Sequence, residues 1–414
     1  MGVRLSGKDI YKNLVALRQV IFEVTEACNL SCEYCGYSTM YDGYDKREDK
    51  RMPFAYAKNI IDYLSSIWRD SDSEAEIAPV TTLGFYGGEP LLNIDLIRQI
   101  VSYIESLGLK RTIRYAMTTN ATLLNHYIDY LVEKDFTLLV SLDGDKDSNA
   151  YRITKDGCPS FDRVFENLQY CKNRYPAFFE NNISFNSVLQ DKSSIDQIVY
   201  FFKENFGKIP RIGELNPFHV DSNHLLKYKG MFRSKMDCLS HSSHRDAIAE
   251  ELFMEDSCIS HVFNTLRYNS GNFFLYYREL FIDSSLIQRT TTGTCTPFML
   301  RMFVTARGKI LPCEKISHDF FYGKVDKERV NLNVDDVAIQ YNQYVQTIEK
   351  QCTTCEGRNN CPQCIYELRN KNGNFCCTEM ISRKDIEQNL YSCYTYLQKH
   401  PHLYQQLVEN VSFM

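Results

Sequence analysis

From about residue 20 to 217, short runs of β-branched and aromatic residues alternate with longer amphipathic stretches. This is the pattern of βα units around a parallel sheet. It predicts strands near 20–24 (VIFEV), 81–86 (TTLGFY), 112–118 (TIRYAMT), 137–141 (TLLVS), 182–188 (NISFNSV) and 210–216. Helices are predicted over 54–69, 93–107, 123–134, 160–174 and 193–205. Six strands with five intervening helices predict an α/β fold, a sheet curved into a partial (β/α)6 TIM-like barrel, with its chemistry at the carboxyl ends of the strands. Residues 218–294 are rich in Ser, His, Tyr and Asn and lose the period, so a helical linker or substrate-binding region is expected there. After Cys295, the stretch FVTARGKILPC reads as strand, turn and strand, with Arg307-Gly308 as the turn. Segment 352–377 has little apolar content, so bound metal is expected to organise it. The predicted organisation is a barrel over 1–217, a linker over 218–294, a cysteine-rich domain over 295–395 and a tail over 396–414.

Composition narrows the function classes. The chain has 414 residues, with 47 Lys+Arg against 52 Asp+Glu and a net charge of -5. That gives no electrostatic footprint for a phosphate backbone, so DNA and RNA are not expected partners. No run of about 18 apolar residues occurs. Arg4, Lys8, Asp9, Lys12, Arg18 and Glu23 interrupt any signal-peptide core, so a cytoplasmic protein without membrane association is expected. Sixteen cysteines then stand out, because a reducing compartment keeps disulfides open and clustered thiols point to metal or redox chemistry.

EACNLSCEYCGYS places Cys28, Cys32 and Cys35 in a C-x3-C-x2-C array just after the first predicted strand. Three thiolates can hold three irons of a 4Fe-4S cube and leave the fourth open. A structural zinc site needs a fourth ligand that no neighbouring Cys or His supplies. A redox dithiol leaves Cys28 unexplained. The array, with aromatic Tyr34 immediately before the third Cys, resembles the radical S-adenosylmethionine (radical SAM) superfamily. The resemblance implies that the open iron binds SAM, whose reductive cleavage yields a 5'-deoxyadenosyl radical. Further stretches fall after consecutive strands. Gly87-Gly88-Glu89-Pro90 resembles the GGEP motif that holds the SAM amino group. Thr118-Thr119-Asn120 resembles the TNG stretch, with Ala121 in place of the glycine. Ser141-Leu142-Asp143-Gly144 resembles SLDG, whose Ser contacts SAM. Arg152 resembles the arginine that pairs with the SAM carboxylate, and Asn186 a ribose-contacting Asn.

Cys295, Cys313, Cys352, Cys355, Cys361, Cys364 and the doublet Cys376-Cys377 form a second group. Their order resembles the SPASM domain, which carries two auxiliary 4Fe-4S clusters and so implies three clusters in all. By that resemblance Cys352, Cys355, Cys361 and one of Cys376 or Cys377 hold the outer cluster, and Cys295, Cys313 and Cys364 the inner one. The inner set has three obvious ligands. It keeps an open iron or takes Cys393 or the second thiol of the doublet. The alternative from spacing alone is a single zinc in the CxxC-x5-CxxC run. Cys158, Cys171, Cys238, Cys258 and Cys393 have no ligand spacing and read as free thiols.

CGYSTMYDGYD and SLDG…YRITKDG…FDRVFENL look most like maturases of ribosomally made precursor peptides. The resemblance implies hydrogen abstraction from the precursor, a thioether or carbon-carbon crosslink as product, and a flavodoxin, ferredoxin or similar reductase as electron donor. About 20 residues precede the first strand, so no separate leader-recognition domain is expected before the barrel. The precursor is then expected to use 218–294, the tail or a partner protein. The second reading is an anaerobic sulfatase-maturating enzyme that oxidises Cys or Ser to formylglycine. That family has an Asp after the equivalent of Cys313 as the proposed base, and here Glu314 stands in its place. A third reading, from another class, is a noncatalytic peptide-binding iron-sulfur or zinc scaffold.

Overall fold

The structure is a computed structural model that describes residues 4–72, 79–252, 292–361, 363–368, 377 and 382–405. Six parallel strands, β1 (Gln19–Thr25), β2 (Val80–Gly87), β3 (Thr112–Thr119), β4 (Thr137–Ser141), β5 (Ile183–Val188) and β6 (Arg211–Gly213), lie side by side in chain order. The helices between them include Phe54–Asp72, Ile94–Ser106, Leu124–Glu133, Phe161–Arg174 and Ile195–Phe206. This is the partial barrel expected from the periodicity. Residues 20–25 of β1 are buried without interruption, which marks a central strand covered on both faces.

The sheet also extends where the sequence pointed to a separate domain. β7 (Arg301–Val304) pairs in parallel with β1, so the order is β10-β9-β8-β7-β1-β2-β3-β4-β5-β6. β8 (Lys309–Leu311) returns antiparallel through the expected turn, with Phe303 opposite Leu311. Gly308 has φ +82°, and a Cβ there would meet the Val325 carbonyl oxygen at 2.1 Å, so only glycine fits this turn. β9 (Gly323–Val325) and β10 (Val330–Asn331) complete the sheet. Met302, Phe303 and Val304 are fully buried, and that burial draws the hairpin onto the edge of β1.

Two buried features fix the barrel wall. The Trp68 indole N–H donates to the Leu14 carbonyl at 3.0 Å. Beside it Arg111 makes two bonds to the Asp72 carboxylate, at 2.8 and 2.7 Å, with its guanidinium 4.6 Å from the Trp68 ring centroid. Helix Ile195–Phe206 opens on a capping box between Ser194 and Gln197 and closes on Gly207 at φ +68°.

The chain divides into two compact units. One comprises Lys8–Arg245 and Pro297–Val337 and contains the whole sheet. The other comprises the described residues of Met1–Gly7, Asp246–Thr296 and Ala338–Met414. Helices Leu225–Met231, Lys235–Ser240 and Arg245–Leu252 occupy the first part of the expected linker; residues 253–291 of it lie outside the described residues.

Candidate active site

The three-cysteine segment leaves β1 and is pinned by backbone bonds to the segment that carries Arg152. Ser31 N–H donates to the Ile153 carbonyl at 2.7 Å and Glu33 N–H to Tyr151 at 3.3 Å. Burial pushes the Cys28 thiol up to about 11 and the Cys32 thiol up to about 12, and both also feel Cys35. The three thiols are thus within electrostatic reach of one another. Leu30 N–H points at Cys28 Sγ at 3.4 Å and the Asn120 amide at 3.8 Å, both as donors to sulfur. Neighbouring, desolvated thiols, one of them with two N–H donors aimed at it, fit a bound metal cluster, which takes its cysteines as thiolates.

Gly87 and Gly88 press the end of β2 against this loop. At Gly87 φ is +145°, and a Cβ would stand 2.2 Å from the Thr25 carbonyl oxygen; at Gly88 it would stand 2.2 Å from that of Ala27. Gly88 N–H donates to Thr25 and Glu89 N–H to Ala27, each at 2.9 Å. Glu89 then caps the turn Pro90–Asn93 through Leu91 N–H at 3.1 Å. Its carboxylate also accepts from Thr119 Oγ1 at 2.8 Å and Asn120 N–H at 2.7 Å. All three donors are neutral, and burial raises the carboxyl to about 7. A buried carboxylate compensated only by neutral donors fits a ligand that brings N–H groups or positive charge.

Ala121, where the glycine was missing, adopts φ +58°. The Asn167 amide holds that turn by donating to the Ala121 carbonyl at 2.9 Å and the Thr122 carbonyl at 3.1 Å. Asn120 is fixed by Asn29 at 2.9 Å and by Thr122, whose hydroxyl donates to its Oδ1 at 2.6 Å.

Asp143, at the end of β4, is fully buried and held by three protein donors. Tyr34 Oη donates to one oxygen; an Arg152 Nη, at 2.9 Å, and Val188 N–H, at 3.0 Å, donate to the other. The Arg152 guanidinium lies 5.4 Å from the Tyr34 ring centroid and close enough to Cys32 to favour its thiolate. Arg152 Nε is buried with no hydrogen-bond partner, an open donor beside the cysteines. Ser141 and Asn186 are half-buried register partners on β4 and β5.

Several further residues cluster at this end of the sheet. Tyr86 pairs in register with Glu23, and both Cys35 and Glu314 add to the burial that raises its phenol. Glu23 binds Arg47 and accepts from Ala306 N–H at 2.9 Å; the Arg47 guanidinium stacks 3.3 Å from the Tyr37 ring centroid. His318, 2% exposed, contacts Asp45 through Nδ1 at 3.1 Å, and Lys309 also reaches Asp45 at 2.7 Å. Glu314 is paired with Arg301 at 2.6 Å and takes a weak contact from Cys313 Sγ at 3.6 Å. Alternation along β2 puts Tyr86 on the face of Thr82 and Gly84, a signal that locates it in retrospect. Nothing in the sequence pairs His318 with Asp45.

In the other unit the cysteines sort into two sets. Burial pushes Cys352 up to about 11, with Cys361, Cys377 and Cys355 adding to it, and Cys361 responds in turn to Cys377 and Cys355. Cys364 is pushed up to about 12 by burial, with Glu367 and Cys295 contributing. Cys376 and Cys258 lie outside the described residues. Cys171 is buried and Cys158 exposed. No described helix is long and apolar enough to cross a membrane.

Comparison with known proteins agrees with this geometry. Residues 22–204 match the Radical SAM superfamily model. The chain is 38% identical over 145 residues to the uncharacterized protein MJ0907 of Methanocaldococcus jannaschii, a match covering 35% of this chain and 45% of that one. It is 31% identical over 195 residues to the cysteine-type anaerobic sulfatase-maturating enzyme of Clostridium novyi, covering 46% and 48%. The chain thus spans about half the length of these curated relatives. In fold it is similar to native anSMEcpe with bound AdoMet and Kp18Cys peptide, with a TM-score of 0.59 at 16% identity over 96% of this chain and 99% of that one. The three-cysteine loop, the glycine pair and the buried carboxylate thus stand at the carboxyl ends of a partial barrel within or beside the stretch that is similar to the radical SAM superfamily, a family that uses SAM and a 4Fe-4S cluster.

Proposed function

We propose that the chain is a radical SAM-SPASM maturase that acts on a ribosomally made precursor peptide and forms a thioether or carbon-carbon crosslink. The observation that carries the reading is the sorting of its thiols. Cys28 and Cys32 both feel Cys35 at the barrel, Cys352 and Cys361 both feel Cys355 and Cys377, and Cys364 feels Cys295. This grouping supports two auxiliary 4Fe-4S clusters, with Cys377 as the outer ligand of the doublet.

When bound, SAM and its cluster supply the 5'-deoxyadenosyl radical that takes a substrate hydrogen. The chain's own groups hold and orient it. Glu89, fixed by Thr119 and Asn120, receives the SAM amino group. Gly87 and Gly88 allow the backbone to approach, and Pro90 starts the turn that aims Glu89. Arg152, steadied by Asp143 and Tyr34, offers its open Nε to the SAM carboxylate. Ser141 and Asn186 present polar groups to the nucleoside. Glu314, held by Arg301 and in weak contact with Cys313, is the proton acceptor, and Tyr86 lies in electrostatic reach of both Glu314 and Cys35. A flavodoxin or ferredoxin supplies the electron.

The test is coexpression with candidate small precursors, read by mass spectrometry: loss of two hydrogens without aldehyde reactivity is expected. Aldehyde formation would instead establish the sulfatase-maturating reading, which Glu314 beside Cys313 and the fold shared with anSMEcpe favour as second. Anaerobic incubation with dithionite and SAM should yield 5'-deoxyadenosine, and Cys32→Ala should abolish it; no product from the wild type would mean a noncatalytic scaffold. Iron analysis should return about twelve irons per chain, and four irons with one zinc would refute two auxiliary clusters.

A further inference from the structure

Outside the cysteine sites, three metal-ligating side chains meet in the unit that contains the C-terminal helix. That helix, Arg383–Lys399, ends at His400, whose backbone N–H still reaches the Tyr396 carbonyl at 3.0 Å. Pro401 has no N–H to continue the ladder and a fixed φ, so it suits the first position of the next helical turn, on which His402 lies. Leu403, fully buried, anchors that turn, and its N–H donates to the His400 carbonyl at 3.0 Å. The two imidazoles are thereby set on either side of a rigid residue, with ring centroids 6.1 Å apart, and His400 is braced by the Tyr396 ring at 4.7 Å. Glu250, from helix Arg245–Leu252, faces them, with Oε1 2.5 Å from His402 Nε2. One donor atom from each of Glu250, His400 and His402 lies within 4.8 Å of the other two.

We propose that Glu250, His400 and His402 form a site for a divalent transition-metal ion of the zinc class. Two imidazole nitrogens and one carboxylate oxygen are a zinc donor set, with the fourth position left to water. Bonds of about 2.0–2.1 Å to a tetrahedral ion place donor atoms about 3.3 Å apart, within the spread seen here. The site lacks sulfur and is partly exposed, so it loads and exchanges independently of any iron-sulfur cluster. Bound metal clasps the helix of Glu250 to the C-terminal helix, segments about 150 positions apart. A simple Glu250–His402 ion pair uses two of the three groups and predicts no role for His400.

The experiment is a Zn2+ titration of the cluster-loaded full chain, with zinc X-ray absorption on the product. One tight equivalent is expected, with nitrogen and oxygen ligands at about 2.0–2.1 Å and no sulfur at about 2.3 Å. His400→Ala and Glu250→Gln should each weaken binding by about tenfold or more while iron content and circular dichroism stay unchanged. Equal zinc binding by wild type and a His400→Ala/His402→Ala double variant, or sulfur in the zinc shell, would overturn the proposal.

Discussion

Glu89→Gln separates the role of the buried carboxylate from that of the loop around it. Burial raises this carboxyl from 4.5 to about 7, a cost of about 3 kcal/mol for the ionised form. The sign follows from the direction. A raised carboxyl pKa stabilises the fold fully below 4.5, and that contribution is lost as pH climbs towards 7. Without ligand the group therefore holds its proton below about pH 7, whereas an amino group placed against it favours the carboxylate. If Glu89 receives the SAM amino group as proposed, binding must expel that proton, which weakens it about elevenfold at pH 6 and hardly at all at pH 8. Wild-type affinity should rise about tenfold between those values from this group alone. Gln cannot titrate, so the variant should lack that tenfold rise. It also loses a charge-assisted acceptor and turns an amide N–H toward a backbone donor, for about 2 kcal/mol, or about thirtyfold weaker binding at pH 8. Anaerobic equilibrium binding of radiolabelled SAM to cluster-loaded protein, at pH 6, 7 and 8, reads both effects. Equal pH slopes in wild type and variant would refute the reasoning.

Gly88→Ala drives a Cβ to 2.2 Å from the Ala27 carbonyl oxygen, so the cysteine loop must move, and iron content should fall by about four per chain with secondary structure retained. Asp72→Asn leaves the buried Arg111 charge without its carboxylate and should cost about 3–5 kcal/mol, measured by denaturant unfolding. Ala121→Gly relieves a left-handed alanine and loses only one methyl, so it should raise stability by about 1 kcal/mol, seen as a higher midpoint in the same assay.

What the sequence revealed and what it hid divide along a physical line. Strands β1 to β5 and the cysteine loop are written locally, in β-branched runs and thiol spacing, and they stand where the pattern put them. The FVTARGKILPC hairpin is equally legible as strand and turn, but its partner β1 lies about 280 residues earlier. No local period encodes that pairing, so the pattern assigned to a second domain a strand that closes onto the first. The same distance hides Ala306 N–H on Glu23 and the His318–Asp45 contact, which exist only once the hairpin has docked.

Ala121 marks the opposite case. A glycine is the usual means of holding φ positive, and here alanine stands in its place. The backbone nonetheless takes φ +58°, because the buried Asn167 amide bonds two successive carbonyls of the turn. Those two bonds, each worth about 1 kcal/mol net, offset a left-handed penalty of about 1–2 kcal/mol. The motif is therefore kept at the level of the turn that aims Asn120 at Glu89, with the glycine's task transferred to a helix residue 46 positions away. A turn of this kind is held in shape by bonds that the spacing of the motif does not spell out, which is why Asn167, quoted in FDRVFENL but given no role there, belongs with Glu89 and Asn120 as a residue that sets the geometry of the proposed SAM site.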